Sequence, residues 1–149
     1  MVKLRPIKKT DGSFILGVRN DPTTIKFLHD QRSFTINQFE EWFENNKPQW
    51  FIIINTMNEK VGYIRTKWVS FPNHLEIGAD ISLNHRNKGY ATAAYVAAFE
   101  YFKDVKKMSL EVLENNEIAI KMYKKLGFVE KSTSVINGKN SIYMEKTIE

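Results

Sequence analysis

The amino-acid sequence predicts an α+β fold, a mixed and mostly antiparallel sheet flanked by helices. Three observations carry this. The apolar period changes from helical to alternating near Trp50 and back to helical near Gly89. Between those points three strand-like runs follow one another across short turns, which calls for antiparallel pairing. After Gly89 the order is helix, strand, helix, hairpin, which brings at least one crossover into the same sheet. No repeat, low-complexity tract or Gly/Ser/Pro linker interrupts the 149 residues, so residues 1–149 read as a single domain.

The elements can be justified in chain order. Lys3-Leu4-Arg5-Pro6-Ile7 alternates, and Pro6 lacks an N–H, so it reads as a short edge strand. Thr10 and Asp11 can cap a helix to about Val18, and Asn20-Asp21-Pro22 starts another with an acceptor at the cap and proline at the first helical position. Thr35-Ile36-Asn37-Gln38 has capping-box spacing, with Ile36, Phe39 and Phe43 on one face behind it. Trp50 to Ile54 is a buried strand, Val61 to Val69 its hairpin partner, and His74 to Leu83 a third strand. In that third strand Leu75, Ile77, Ala79, Ile81 and Leu83 share one face, and Glu76, Gly78, Asp80 and Ser82 the other. Gly89 to Phe102 is a helix apolar almost all round, which predicts a central position. Lys107 to Leu113 is a strand. Asn115 or Asn116 caps a helix that presents Ala119, Met122, Tyr123 and Leu126 on one face and ends at Gly127. Phe128 to Thr133 and Ser141 to Met144 close as a hairpin over Asn137-Gly138.

Composition narrows the function classes. The absence of cysteine excludes disulfides, thiolate metal sites and a cysteine nucleophile. His29, His74 and His85 show no paired ligand spacing, so no metal is expected. The longest apolar run, Trp50 to Ile54, is far short of a membrane span, and no long apolar stretch follows Met1 as in a signal peptide. A cytoplasmic protein without membrane partners is therefore expected. The net charge of +5 first suggests a polyanion, but the basic residues are scattered, which points away from nucleic acid and toward a small phosphorylated ligand.

The chemistry is concentrated in Asp80-Ile81-Ser82-Leu83-Asn84-His85-Arg86-Asn87-Lys88-Gly89-Tyr90-Ala91-Thr92. A strand ends, a basic turn with one glycine follows, and a helix begins; such a helix start offers free backbone N–H groups to an anion. Neither G-x-x-x-x-G-K-[ST] nor G-x-G-x-x-G is present, so this is not a P-loop or a dinucleotide fingerprint. Arg86-x-x-Gly89-x-Ala91 after Ile81-Ser82-Leu83 instead resembles the acyl-CoA pyrophosphate loop of the GCN5-related N-acetyltransferases, the GNAT superfamily. Asn116-x-x-Ala119-Ile120-x-x-Tyr123-x-x-Leu126-Gly127-Phe128 is similar to that superfamily's C-terminal helix and following strand, and the element order matches along essentially the whole chain.

The resemblance implies an N-acetyltransferase that moves acetyl from acetyl-CoA to a primary amine by direct attack in a ternary complex. Backbone N–H groups from Arg86 through Asn87, Lys88, Gly89, Tyr90, Ala91 and Thr92 would hold the pyrophosphate, with Arg86 and Lys88 adding charge. Ile81, Ser82 and Leu83 would pair with the pantetheine as a strand, Asn116 would meet its arm, and Tyr123 would protonate the leaving thiolate. The attacking amine must lose a proton, and Glu76 is the first candidate to take it, with Asp80 its competitor on the same face. Val18-Arg19-Asn20-Asp21-Pro22 and Ile36-x-x-Phe39-x-x-Trp42-Phe43 resemble a subgroup acting on nucleotide-linked amino sugars, as in pseudaminic acid synthesis. Arg19, Arg65, Trp42 and Trp68 would then take an anionic nucleotide acceptor. Acetylation of protein N-termini, as on ribosomal proteins, or of a small polyamine is the alternative, as is a non-catalytic CoA-binding module. A homodimer is left open.

Overall fold

The computed structural model describes residues 1–148. Seven strands form one sheet in the order β1-β2-β3-β4-β5-β7-β6. They are β1 (Val2–Pro6), β2 (Phe51–Asn55), β3 (Lys60–Ser70), β4 (His74–Ile81), β5 (Lys107–Leu113), β6 (Val129–Ile136) and β7 (Lys139–Thr147). All neighbours pair antiparallel except β4 and β5, which run parallel because helix α4 (Tyr90–Tyr101) crosses over between them. The other helices are α1 (Gly12–Arg19), α2 (Pro22–Ile25), α3 (Ile36–Asn46) and α5 (Glu117–Lys125).

The predicted caps of α2, α3 and α5 are present, whereas the cap expected from Thr10 or Asp11 is not: Asp11 precedes α1 without capping it, because its carboxylate accepts from Arg5, Lys60 and the Lys8 N–H. The Asp21 carboxylate accepts from the Thr23 backbone N–H at 2.8 Å, with Pro22 at the first helical position of α2. Thr35 and Gln38 form the reciprocal capping box of α3. Asn116 caps α5, and Gly127 ends it at φ +100°, a conformation only glycine adopts without strain. Asn137 and Gly138, both at positive φ, turn the β6–β7 hairpin as the sequence predicts.

Two apolar clusters sandwich the sheet. On one face α4 and α5 cover Phe51, Ile53, Ile64, Leu75, Ile77 and Met108, with Ala94, Tyr95 and Ala98 of α4 fully buried against them. On the other, α1 and α3 bury Ile7, Ile15, Val18 and Phe39 against Ile52 and Tyr63. Each such side chain taken from water contributes about 1.5–3 kcal/mol. This second layer stops short of β5 and β7, whose residues on that face, Leu113 apart, include Ser109, Glu111, Ser141, Tyr143 and Glu145. A cavity lies over this uncovered half.

Two expectations need correction. Helix α4 is not central: Val96 and Tyr101 are more than half exposed, because the helix packs against the sheet on one side only. Strand β4 ends at Ile81, two residues early, and Leu83 lies half-exposed in a 3-10 turn instead of on the buried face. The turn is set by the His85 N–H bonding the Ser82 carbonyl and by the Ser82 hydroxyl meeting His85 Nδ1 at 2.6 Å.

Candidate active site

Strands β4 and β5 hydrogen-bond only where His74–Glu76 meets Lys107–Ser109, and then they part. Beyond that point β4 keeps β3 and β5 keeps β7 as partners, so a fork opens in the middle of the sheet. At the far end of β4 the loop into α4 carries the anion-binding features. Among the described residues, the backbone N–H groups of Arg86 to Thr92 find no acceptor. Asn87 and Gly89 sit at positive φ (61° and 80°), which turns successive N–H groups toward one side, and a Cβ on Gly89 would meet nothing within 4 Å. A free loop of this kind at a helix start fits a pyrophosphate.

The Arg86 side chain does not add its charge there. Its guanidinium donates to the Ile81 carbonyl at 3.0 Å and to the Thr23 and Thr24 hydroxyls at 2.6 and 2.8 Å, tying the loop to α2. Lys88 is exposed beside the free N–H groups. The Ile81 carbonyl, engaged by Arg86, and the displaced Leu83 leave the strand edge of β4 before Ile81 as the pairing surface at the fork.

A cavity of about 640 Å³ opens at the fork. Its walls include Glu76 and Gly78 of β4, Leu110 and Glu111 of β5, Arg65 and Trp68 of β3, Trp42 of α3, Trp50, His29 and Tyr123. Tyr123 belongs to α5, on the opposite face of the sheet from Glu76, so the fork joins the two sides. Burial raises the Tyr123 pKa above the ordinary phenol value, and a hydrogen bond from Tyr95 (3.4 Å between the oxygens) and the charge of Arg65 pull it back. The hydroxyl is therefore protonated at neutral pH, as an acid must be.

Of the two predicted bases, Glu76 faces the cavity at the fork, whereas Asp80 is bound by Arg65 Nε at 3.0 Å and its side chain is only 9% exposed. Arg65 lies across Gly78, where a Cβ would stand 2.5 Å from its guanidinium. Its charge is thereby matched within the protein. Arg19 is a correction: it does not line the cavity but donates to the Asp30 and Arg32 carbonyls and stacks over Phe34, pinning the loop before α3. Trp42 and Trp68 do reach the cavity, yet Trp42 meets Trp50 edge-on at 4.7 Å and Trp68 meets Phe71 at 4.9 Å, so their rings are already partnered. The anionic acceptor expected at Arg19 and Arg65 loses both of its cations. Asn116 caps α5 with its side-chain oxygen toward the Ala119 N–H at 3.4 Å.

A family model described as an acetyltransferase (GNAT) domain matches residues 2–129. The chain belongs to the GNAT acetyltransferase family. It is an acetyl-CoA-dependent N-acetyltransferase. The spermidine N(1)-acetyltransferase of Escherichia coli K12 is 25% identical in an alignment 137 positions long that covers 85% of this chain and 72% of that enzyme. The crystal structure of spermidine N-acetyltransferase from Vibrio cholerae in complex with CoA and spermine shares the fold at a TM-score of 0.89, with 21% identity over 99% of this chain and 95% of that one. An N-acetyltransferase from Staphylococcus aureus Mu50 aligns at a TM-score of 0.83 with 20% identity, covering 100% of this chain and 99% of that one.

Three residues of the acetyltransferase escaped the sequence reading. Glu111 carries a buried carboxylate oxygen with no partner among the described residues, and burial, then the nearby charge of Glu76, raises its pKa. A carboxylate inside the otherwise apolar run Met108 to Leu113 was the available signal. His29 lines the cavity with Nε2 at 2.6 Å from the buried Ser141 hydroxyl; burial and then Arg65 lower its pKa, so it is neutral near pH 7. Nothing in its sequence surroundings marks it. Tyr95 sat in a helical stripe read as core, and only the fold brings its hydroxyl to Tyr123. Among the described residues, no cluster of three His, Cys, Asp or Glu could hold a metal ion, and no helix is long and apolar enough to cross a membrane.

Proposed function

We propose that this acetyltransferase modifies a primary amine on a small cationic acceptor of the polyamine class, and that the described chain works as one acetyltransferase unit. The observation that carries the reading is the Glu111 carboxylate, which lines a cavity together with Glu76 and has one oxygen buried without a partner among the described residues. A buried anion without a partner is costly, and an alkylammonium supplies what is missing. Of the cations that line the cavity, Arg65 is satisfied by Asp80, and Lys47 and Lys67 are exposed. The spermidine acetyltransferases among the relatives support it, whereas the nucleotide-linked amino sugar expected from the sequence has neither a free arginine nor a relative reported above to rest on.

The residues divide the work across the fork. When bound, acetyl-CoA supplies a thioester whose carbonyl carbon accepts the amine. The free N–H groups of Arg86 to Thr92 and the exposed Lys88 hold the donor's phosphates, and the unpaired edge of β4 aligns its arm. Glu76 takes the proton from the ammonium, directly or through a water, so that the lone pair is free to attack. Tyr123 gives its proton to the sulfur as the C–S bond breaks. With no cysteine in the chain, transfer runs by direct attack without an acyl-cysteine intermediate.

The test is release of free CoA thiol from acetyl-CoA in the presence of spermidine, a nucleotide amino sugar, or a peptide with a free N-terminus. Release with spermidine and not with the others is expected. Turnover of the nucleotide sugar in preference to spermidine would remove the cationic-acceptor reading. Tyr123→Phe should lower kcat by about 10²-fold or more while KM for acetyl-CoA stays within twofold, as loss of a general acid requires. Unchanged kcat would remove Tyr123 as the acid.

A further inference from the structure

Tyr95 lies on α4 with no exposed surface, packed edge-on against the rings of Tyr123 (5.6 Å, 79°) and Phe128 (6.3 Å, 77°). A tyrosine hydroxyl in a dry core needs a partner. The one it has among the described residues is the Tyr123 hydroxyl, at 3.4 Å between oxygens. Each hydroxyl carries a single proton, so one must donate and the other accept. Tyr123 borders the cavity and has a second direction for its proton, whereas Tyr95 has none. The bond therefore runs from Tyr95 to Tyr123.

We infer that Tyr95 is a positioning residue for the acyl-transfer step: by donating to the Tyr123 oxygen it points the Tyr123 proton into the cavity and stabilises the tyrosinate left when that proton passes to the thiolate. The inference rests on the reading of Tyr123 as the acid. The balance of the step explains why such a partner is needed. The O–H bond of Tyr123 breaks, an S–H bond forms on the departing thiolate, and the negative charge moves from sulfur to the phenolic oxygen. A phenol of pKa about 10 is a weaker acid than a thiol of about 8.5, so the transfer runs uphill unless the tyrosinate is held. Burial makes the imbalance worse, while the Tyr95 hydrogen bond and the Arg65 charge counter it. The charged groups acting on Tyr123 are Arg65 from β3, which favours the tyrosinate, and Asp80 from β4, which opposes it. Glu76, Glu111 and His29 border the same cavity. Tyr95→Phe leaves every one of these side chains in place.

The experiment compares Tyr95→Phe with Tyr123→Phe and the unaltered enzyme. Phenylalanine keeps the ring that packs on Phe128, and a thermal melt confirms the fold. Expected for Tyr95→Phe are a fall of about tenfold in kcat, KM values for acetyl-CoA and amine within twofold, and an alkaline limb of the kcat profile moved to higher pH. The direction follows from the chemistry: losing a donor to the tyrosinate raises the Tyr123 pKa, so the protonated acid persists further into base. A readout independent of turnover is the ¹³Cζ titration of Tyr123 in the free protein, which should move upward in Tyr95→Phe. Unchanged kcat and an unmoved titration overturn the role of Tyr95, as does a fall in kcat with the limb and titration in place, which is a packing defect only. If Tyr123→Phe is inactive and Tyr95→Phe is normal, only this inference fails. If Tyr123→Phe is fully active, the acid reading fails and takes this inference with it.

Discussion

Asp11 and Glu111 are both sheltered carboxylates on the same sheet, and their surroundings are opposite. Asp11, at the junction of β1 and α1, accepts from Arg5 at 2.9 and 3.1 Å, from Lys60 at 2.8 Å and from the Lys8 N–H at 2.7 Å. Burial would raise its pKa, but those donors hold it well below the ordinary carboxylate value. Glu111, on β5, has an oxygen with no partner among the described residues, and burial pushes its pKa up. The first carboxylate is satisfied within the fold and ties β1, β3 and α1 together. The second is left unsatisfied by the fold and borders the cavity. An anion with every lone pair engaged reads as architecture, and a carboxylate beside a cavity with an oxygen left unpartnered reads as a candidate site for a cation.

Substitutions at the two positions should separate stability from acceptor recognition. Asp11→Ala should have the largest effect, a loss of about 3 kcal/mol in denaturant unfolding, because two cations and an N–H lose their acceptor together. Acceptor KM in the folded fraction should not change. Lys60→Ala removes one of the two cations, and since that side chain is nearly half exposed the loss should be about 1 kcal/mol. Glu111→Gln should have the smallest effect on unfolding and the opposite sign, a slight gain near neutral pH.

The pH profiles sharpen the same contrast. The folded pKa of Asp11 is depressed, so its stabilisation is complete above the ordinary carboxylate range and is lost as pH falls below it. The folded pKa of Glu111 is raised, so its contribution is favourable below the ordinary value and lost as pH rises through the folded value. Asp11→Ala should flatten the acid limb of the stability curve, and Glu111→Gln the decline from about pH 4.5 toward neutrality. If both variants shift the same limb, the two carboxylates do not differ in the way their surroundings require.

Much of the architecture was legible because it is local. The Thr35 capping box, the Asn116 cap, the Asn137-Gly138 turn and strand Lys107–Leu113 depend on residues a few positions apart. The end of β4 was misplaced because apolar alternation continues to Leu83, while the chain turns on a Ser82–His85 contact that alternation does not register. The loop that resembles an acyl-CoA site is a contiguous motif, and its free N–H groups lie where the motif puts them. What the sequence could not show is long-range. Arg19 and Arg86 looked available as cations until the fold brought Asp30 and Arg32 to one and Thr23 and Thr24 to the other. Glu76 and Glu111 lie on different strands and come together only because β4 and β5 pair in parallel and then part.

We propose that Glu111, one of whose carboxylate oxygens has no partner among the described residues, acts beside Glu76 to select a cationic acceptor. The most direct measurement is kcat/KM for spermidine and for butylamine, which shares the reactive amine but carries no second charge, in the unaltered enzyme and in Glu111→Gln. Expected is a clear preference for spermidine that falls about tenfold in the variant, equivalent to about 1.4 kcal/mol, with butylamine and the acetyl-CoA KM little changed. An unchanged spermidine preference in a folded, active Glu111→Gln enzyme would contradict it.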